Sequence, residues 1–289
     1  MTPDTKSVIR IVGRGGVGSY FAKELKSENT EILFFDSRRA LNKFNSHSFT
    51  FEGKDFYFER EFHISEIADL TLICLKSYEI SDELLAELHD LPGRNLFIQN
   101  GISAIHRSSE YSKKFIFANI AFLSVDLEET VLSVQGNSPK LLIASNNVDS
   151  NARNLITELF YPTDITVKFE DNYSLVLSNK YPRWLLTNLL TISAKQPIGP
   201  ALINADRGEL INLCLELARI LAVVLSLQVD VNSLLHDVSV LPPETITSSY
   251  RDYFAGKQSE FLMEMGTLLE MADKSQIACP RIKSIIERL

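Results

Sequence analysis

The chain has 289 residues, of which 45% are hydrophobic and 23% charged, and its formal net charge is −8 at pH 7. This composition is typical of a globular protein with room for two cores, and it argues against a nucleic-acid surface or a membrane span. The three cysteines are scattered without a metal-binding or disulfide pattern, so we expect a cytoplasmic protein with reduced thiols and no bound metal.

In the first half of the chain, short β-like runs alternate with helical stretches. This alternation predicts an α/β domain with a doubly wound, parallel, Rossmann-type sheet. The predicted strands are 7–13, 30–36, 70–75, 95–100, 113–120 and 164–169. The predicted helices are 17–27, 38–44, 79–90, 102–109 and 150–160. Turn residues between alternating runs predict β-hairpins at 50–59 and 131–144.

Helical patterns dominate from about residue 170 onward, and strand patterns nearly vanish. We therefore predict a nucleotide-binding domain at 1–169 and a helical substrate domain at 170–289, with the substrate in a cleft between them. The predicted helices are 173–194, 206–227, 230–236, 243–254, 257–274 and 280–288.

The most informative motif follows the first predicted strand. It has the G-x-G-x-x-G spacing that cradles a dinucleotide pyrophosphate between a strand and a helix. The first glycine allows the sharp turn, the second lets the backbone approach the phosphates, and the third lets the helix pack closely on the strand. We predict that this turn binds the cofactor through Gly13, Gly15, Gly16, Val17 and Gly18.

The residues after the second predicted strand leave the choice of cofactor open. Asp36 could accept hydrogen bonds from the adenosine ribose, which favours NAD, or it could be a helix cap. Arg38 and Arg39 could pair with a 2′-phosphate, which favours NADP, although Arg39 could equally be a solvated surface charge.

Two further strand ends carry polar residues. Lys76 stands just past the strand 70–75, where the ends of parallel strands face the ligand, and it could reach a phosphate or an anionic substrate. Asn100 ends the strand 95–100 and could bind the nicotinamide ribose or orient a catalytic group. The alternatives are an ordinary loop lysine and an Asn-Gly turn.

The second half offers a candidate proton donor. Lys180 opens a helical stretch, and Asn188 lies eight residues later on the same helix face. A lysine beside a substrate can protonate a carbonyl that is being reduced, although a lone lysine is usually a surface residue. Glu260 stands at the start of a later predicted helix, where a carboxylate in the first turn can complement the helix dipole.

Together these motifs resemble the ketopantoate reductases (2-dehydropantoate 2-reductases) over nearly the whole chain. The family opens with a fingerprint similar to I-V-G-R-G-G-V-G-S-Y and has a lysine and an N-G at positions like Lys76 and Asn100. Its helical domain begins with a catalytic lysine followed eight residues later by N-L-L-T, as at Lys180. Its final signature is similar to T-S-S-Y-R-D-Y-F-A-G-K-Q-S-E-F.

The resemblance implies reduction of 2-dehydropantoate to (R)-pantoate with NADPH, a step toward pantothenate and coenzyme A. Lys180 would protonate or polarise the carbonyl oxygen, Glu260 would hold and tune that lysine, and Asn100 would position substrate or ribose. Asn188 would bind a substrate hydroxyl and Ser248 the carboxylate.

The resemblance has departures that bear on the substrate. Trp184 stands four residues after the lysine, where the family has a second asparagine, and it would face the substrate. Leu262, Met265 and Arg281 also depart from the family, and Ser249 is a near alternative to Ser248. The chain could therefore reduce a different 2-keto or 3-hydroxy acid, or sense NADP without turnover. We expect a small anionic keto acid as partner, and either a monomer or a homodimer.

Overall fold

The computed structural model describes residues 6–35, 48–61, 68–90, 93–107, 115–178 and 180–289. The chain divides into two compact units. The first, here called the sheet unit, comprises Met1–Gln99 and Ala104–Val176. The second, the helical unit, comprises Leu177–Leu289 together with the short segment Asn100–Ser103.

A large sheet of eight strands forms the centre of the sheet unit, in the order β12-β11-β8-β7-β6-β1-β2-β5. Its strands are β1 (Ser7–Val12), β2 (Thr30–Phe35), β5 (Glu59–Glu61), β6 (Leu70–Ile73), β7 (Arg94–Ile98), β8 (Phe115–Ala121), β11 (Lys140–Ala144) and β12 (Thr166–Glu170). The central strands are apolar runs rather than alternating ones, because the sheet is covered on both faces.

The predicted α/β architecture is confirmed, with one difference in strand direction. The strands from β5 to β8 pair in parallel, but β11 pairs antiparallel with β8, so β11 and β12 run opposite to the other six. Two neighbouring strands that run parallel need a long crossover connection between them. Between β8 and β11 the chain instead forms two strands of a separate small sheet, and β11 then pairs antiparallel with β8.

That small sheet has four strands in the order β4-β3-β10-β9. They are β3 (Ser48–Phe51), β4 (Lys54–Tyr57), β9 (Ser124–Glu128) and β10 (Val131–Gln135). The predicted hairpin at 50–59 is confirmed as β3–β4. The hairpin at 131–144 is wrong, because β10 pairs with β9 while β11 joins the large sheet. Gly136, at φ +132°, lies in the connection from β10 to β11.

Helices cover the sheet unit, and the core lies on both faces of the large sheet. They are α1 (Gly16–Leu25), α2 (Asp82–Asp90), α3 (Ser103–Arg107), α4 (Ser150–Phe160) and α5 (Tyr173–Ser178). One face buries Ile9 and Phe21, and the other buries Phe97 and Leu85. The predicted helix 38–44 lies outside the described residues.

The helical unit consists of α6 (Tyr181–Ala194), α7 (Ile198–Asn204), α8 (Arg207–Leu225), α9 (Val231–Ser239), α10 (Ser248–Phe254), α11 (Glu260–Lys274) and α12 (Pro280–Ile286). Side-chain oxygens cap several of these helices. Asp206 accepts from the N–H of Glu209 at 2.9 Å, and Asp230 accepts from that of Ser233 at 2.7 Å. All described helices are too short or too polar to reach across a bilayer.

Three expectations for this half need correction. The single helix predicted at 173–194 is two helices, α5 and α6, with Pro182 in the first turn of α6, where proline is tolerated. The helix predicted from 243 begins at Ser248, and α7 was not predicted. The helical unit begins at Leu177 rather than at residue 170, because Val176 is still part of the core of the sheet unit.

Candidate active site

The glycine turn after β1 has the backbone geometry that its spacing predicts. Gly13 has φ +103°, a conformation that favours glycine, and a Cβ there would lie 3.0 Å from the backbone of Cys74. A Cβ on Gly18 would lie 1.9 Å from the carbonyl oxygen of Gly13, so only glycine lets α1 approach the turn this closely. Both glycines are therefore required by the local fold.

Gly15 differs, because no described atom beyond its immediate neighbours in the sequence lies within 4 Å of the position its Cβ would take. It is the N-cap of α1, so no side chain occupies the end of this helix, where the first backbone N–H groups lack helical acceptors. Open space above such a helix end fits a phosphate group. The turn thus fits the pyrophosphate of a dinucleotide.

The next two residues of the turn could contribute only backbone groups. A Cβ on Gly16 would lie 2.8 Å from the carbonyl oxygen of Val125 in β9, so this glycine is needed for packing of α1 against β9. The side chain of Val17 is partly buried against the core. Any contact of Gly16 and Val17 with a cofactor would therefore come from their N–H groups.

The other predicted cofactor residues in the sheet unit are only partly described. Asp36, Arg38 and Arg39 lie outside the described residues. Lys76 follows the end of β6, where it was expected, and its backbone N–H donates to the carboxylate of Glu79 at 3.1 Å. Its Nζ lies 5.8 Å from the centroid of the Tyr78 ring.

In the helical unit, Lys180 and Asn100 form a direct hydrogen bond. Lys180 Nζ donates to Asn100 Oδ1 at 2.8 Å, although 80 residues separate them in the sequence. Lys180 is the N-cap residue of α6, and its carbonyl accepts from the N–H of Trp184 at 2.9 Å. The position of the amine is thus fixed both by the start of α6 and by the amide of Asn100.

The electrostatic surroundings of Lys180 suit a proton donor. Desolvation by burial lowers the pKa of Lys180 to about 8, the nearby carboxylate of Glu260 opposes this by raising the pKa, and the Arg183 guanidinium lowers it. Glu260 is the first residue of α11 and is only 7% exposed. The structure therefore brings Lys180, Asn100 and Glu260 into one electrostatic cluster.

Aromatic rings lie one turn along α6 from the lysine. Trp184 stacks on Tyr181, with ring centroids 6.0 Å apart and an interplanar angle of 14°. It also meets the ring of Phe261 in α11 edge to face, with centroids 6.1 Å apart. Trp184 is partly exposed and lies on the same helix face as Lys180, so this position offers an apolar surface instead of an amide.

The side chain of Asn188 is fully buried and takes part in an internal network. Its Nδ2 donates to the carbonyl of Trp184 at 2.8 Å, and its Oδ1 accepts from the hydroxyl of Thr247 at 2.5 Å. Ser248, the first residue of α10, is exposed, whereas Ser249 is buried. Binding of substrate by Asn188 and Ser248 remains a prediction.

Two residues in this region were not among the predicted site residues. Thr247 links Asn188 to the start of α10, where its hydroxyl also accepts from the N–H of Tyr250 at 2.9 Å. A threonine just before a helix is a recognisable N-cap signal. Glu264 lies one turn after Glu260 and is 1% exposed. The sequence shows that Glu264 follows Glu260 by about one helical turn, but it does not show which groups donate hydrogen bonds to Glu264.

Comparisons with known proteins identify a matching family model and several similar structures. Residues 9–146 match the family model for ketopantoate reductase PanE/ApbA. In structure, the chain is similar to the probable 2-dehydropantoate 2-reductase PanE of Bacillus subtilis, with 18% identity, a TM-score of 0.77, and coverage of 97% of this chain and 98% of that one. No curated protein matches the chain in sequence.

Two other solved structures are also similar. A dimeric ketopantoate reductase from Staphylococcus aureus has 19% identity and a TM-score of 0.77, with 97% of this chain and 96% of that one covered. D-mandelate dehydrogenase, in a ternary structure with NADH and anilino(oxo)acetate, has 18% identity and a TM-score of 0.78, with the same coverage. At these identities the structural similarity shows the fold alone. The family match confirms the resemblance to the ketopantoate reductases for residues 9–146.

Proposed function

We propose that this protein reduces a small 2-keto acid with a nicotinamide cofactor, because residues 9–146 match the family model for ketopantoate reductase PanE/ApbA. The leading reaction is reduction of 2-dehydropantoate to (R)-pantoate with NADPH, in pantothenate and coenzyme A synthesis. The observation that carries this proposal is the amine of Lys180, which Asn100 orients at 2.8 Å. Its pKa of about 8 lets it act as an acid near neutral pH.

The glycine turn after β1 is the proposed cofactor site. Gly15 leaves open space at the start of α1, which suits the pyrophosphate, and Lys76 at the end of β6 would contribute a cation. We propose NADPH over NADH on the family resemblance and on Arg38, whose guanidinium would pair with a 2′-phosphate. Asp36 would contact the adenosine ribose.

When bound, the nicotinamide supplies a hydride to the keto carbon. Negative charge then develops on the carbonyl oxygen, where the Lys180 ammonium donates its proton to give the hydroxyl of the product. Asn100 accepts a hydrogen bond from the same ammonium and fixes its direction. Glu260 keeps the lysine protonated, because its carboxylate raises the pKa that burial lowers.

A second candidate is reduction of a 2-keto acid with a larger apolar group. The partly exposed ring of Trp184, packed on Tyr181 and Phe261, supports it, because an indole can pack against an apolar substrate group but cannot replace a second amide. Ser248, and Asn188 if its network rearranges, would then contact the polar end of the substrate. A 2-keto acid of this kind is still a small anion, as the sequence analysis predicts for the substrate.

The test is NADPH oxidation, followed by absorbance, with a panel of 2-keto acids that differ in the size and polarity of the group on the keto carbon. We expect 2-dehydropantoate or an acid with a bulky apolar group to give the highest kcat/KM. Turnover of 2-dehydropantoate no faster than that of unrelated keto acids would eliminate the leading reaction. Cofactor binding without turnover of any acid would instead favour an NADP-sensing protein.

We further propose that the protein acts in the cytoplasm, as a monomer or a homodimer. Cys74, Cys214 and Cys279 are free thiols, which suits a reducing compartment. A homodimer is supported by the dimeric ketopantoate reductase of similar fold. Light scattering coupled to gel filtration, at several protein concentrations, distinguishes the two states.

A further inference from the structure

A buried carboxylate lies beside the Lys180–Asn100 pair and has no part in the chemistry proposed above. Glu264 is 1% exposed and accepts hydrogen bonds from two backbone N–H groups, those of Ile102 at 2.7 Å and Ser103 at 3.1 Å. The hydroxyl of Ser103 also donates to it, as does that of Tyr181 at 3.0 Å. This set of donors satisfies the acceptor oxygens of a carboxyl group that has no access to water.

These donors flank both members of the pair. Ile102 lies two residues after Asn100, and Tyr181 directly follows Lys180. Glu264 thus bonds to the segment that carries the amide and to the residue next to the lysine. With the Lys180–Asn100 hydrogen bond, these contacts close a ring of interactions, so that neither segment can shift without breaking a bond to Glu264.

The residue between Asn100 and Ile102 shows how closely the carboxylate approaches this segment. A Cβ on Gly101 would lie 2.1 Å from Oε2 of Glu264, so a side chain at position 101 would require the carboxylate to move from its present place. The close approach restricts where Asn100 can place its side chain. The Asn-Gly pair, which could be merely a turn signal in the sequence, therefore has a packing reason.

The helical unit contains a second glutamate with a similar arrangement that does not contact the pair. Glu216 in α8 is 6% exposed and accepts from the N–H groups of Arg281 at 3.0 Å and Ile282 at 3.2 Å. The Arg281 guanidinium also donates to it at 3.2 Å. Glu216 thus stabilises the start of α12, and it provides a control for the purely structural effect of losing a buried carboxylate.

We propose that Glu264 is a positioning residue that holds Asn100 against Lys180 and so fixes where the lysine ammonium points. The inference rests on the proposed function, since it assigns Glu264 a role in the same site. Glu264 acts through the backbone of Ile102 and Ser103 and through the hydroxyl of Tyr181, without touching the substrate. A glutamine would keep the size of the side chain but replace one acceptor oxygen by an NH₂ group that cannot accept these hydrogen bonds.

The first test compares Glu264→Gln with Glu216→Gln and combines Glu264→Gln with Asn100→Ala in a double-mutant cycle. We expect Glu264→Gln to lower kcat by up to about 100-fold, as small misplacements of catalytic groups do. Glu216→Gln should leave kcat within about twofold of the wild-type value at a temperature where both variants are folded. In the Asn100→Ala background, Glu264→Gln should have little further effect.

Additive effects in the cycle, or equal losses of kcat in the two glutamine variants, would overturn the proposal. If Glu264→Gln does not fold, Tyr181→Phe replaces it, because it removes one hydrogen bond to Glu264 and keeps the ring. We then expect a smaller loss of kcat that again disappears in the Asn100→Ala background. An unchanged kcat in Tyr181→Phe, measured in place of an unfolded Glu264→Gln, would also overturn the proposal.

A second readout needs no turnover and therefore separates this inference from the proposed function. The amine of Lys180 is titrated by NMR in protein labelled at lysine Cε, with Lys180→Arg to assign the signal. Glu264→Gln should move this titration to lower pH, because the ammonium loses its fixed acceptor, whereas Glu216→Gln should not. If no 2-keto acid is reduced, the proposed function fails, and this titration alone decides the role of Glu264.

Discussion

At the scale of single residues, the chemistry depends on one amine with a lowered pKa. Burial lowers the pKa of Lys180 to about 8, and Glu260 and Arg183 act on it in opposite directions. An acid whose pKa lies near the working pH both holds a proton and gives it up readily. The protonation of Lys180 should therefore control the rate of the proposed reaction.

Replacing the lysine tests its role directly. Lys180→Ala should lower kcat by roughly 100- to 10,000-fold, the contribution of a positioned general acid, while the affinity for NADPH changes little. The matched control is Lys274→Ala, because Lys274 is exposed at the end of α11 and pairs with Glu270 at the surface. Unchanged reductase activity in Lys180→Ala would refute the mechanism.

The pH dependence follows from the same group. Lys180 must be protonated to donate, so kcat should fall as the pH rises through about 8. Glu260→Gln removes the influence that raises this pKa, so the decline should begin at a lower pH. Rate profiles of the two proteins between pH 6 and 10 measure this shift, with Glu270→Gln as the control. A decline at the same pH in all three proteins would exclude coupling between Glu260 and Lys180.

At the scale of elements, the turn between β1 and α1 contains one glycine that the fold needs and another that the proposed cofactor site needs. Gly18 is needed for the approach of α1 to the turn, whereas Gly15 faces open space. The two glycines of one motif therefore have different physical roles, and alanine substitutions distinguish them.

Gly15→Ala should leave the thermal stability close to that of the wild type, because Gly15 has φ −68° and its Cβ would meet no described atom. It should weaken NADPH binding, since the methyl group would occupy the space proposed for the pyrophosphate. Gly18→Ala should lower Tm markedly, because its Cβ would lie 1.9 Å from the Gly13 carbonyl oxygen. Calorimetry and a binding titration give both quantities, and equal NADPH affinity in Gly15→Ala and wild type would argue against the cofactor site.

The sequence predicts elements best where the signal is local. The apolar runs of β1 and β6 and the glycine turn have the structure that their patterns indicate. The strand β9 was missed because its turn to β10 is Glu129-Thr130, without the glycine or asparagine that marks a hairpin. Glu129 nevertheless takes φ +54° there.

The candidate site was less predictable because its contacts join distant parts of the chain. The family resemblance implies roles for both Lys180 and Asn100 in the reaction, but their direct hydrogen bond was not predicted, since nothing in the spacing requires it. The contact of Glu264 with Ile102 spans 162 residues and involves a backbone N–H, which leaves no mark in the sequence. Long-range contacts to backbone groups of this kind lie beyond the reach of pattern analysis.

At the scale of the whole molecule, the preference for NADPH or NADH should be measurable as a difference in how much each cofactor stabilises the folded protein. A ligand that binds only the folded state adds about 2.7 kcal/mol at a free concentration of 100 times its Kd. We expect NADPH to raise Tm more than the same concentration of NADH, and Arg38→Ala to remove most of that difference. The control is Arg288→Ala, at the exposed end of the chain. A larger rise with NADH would assign the choice to Asp36 instead.

The assignment of Asn100–Ser103 to the helical unit means that the chain passes from one unit to the other three times. Cutting before Leu177 would thus not release a self-sufficient module. The fragment would lack Ile102 and Ser103 and leave the buried carboxylate of Glu264 with only the hydroxyl of Tyr181 among its described donors. A buried carboxyl group that has lost most of its hydrogen-bond donors lowers the stability of the fold. We therefore expect an exchange of parts between relatives to succeed only if this four-residue segment is transferred together with the C-terminal part.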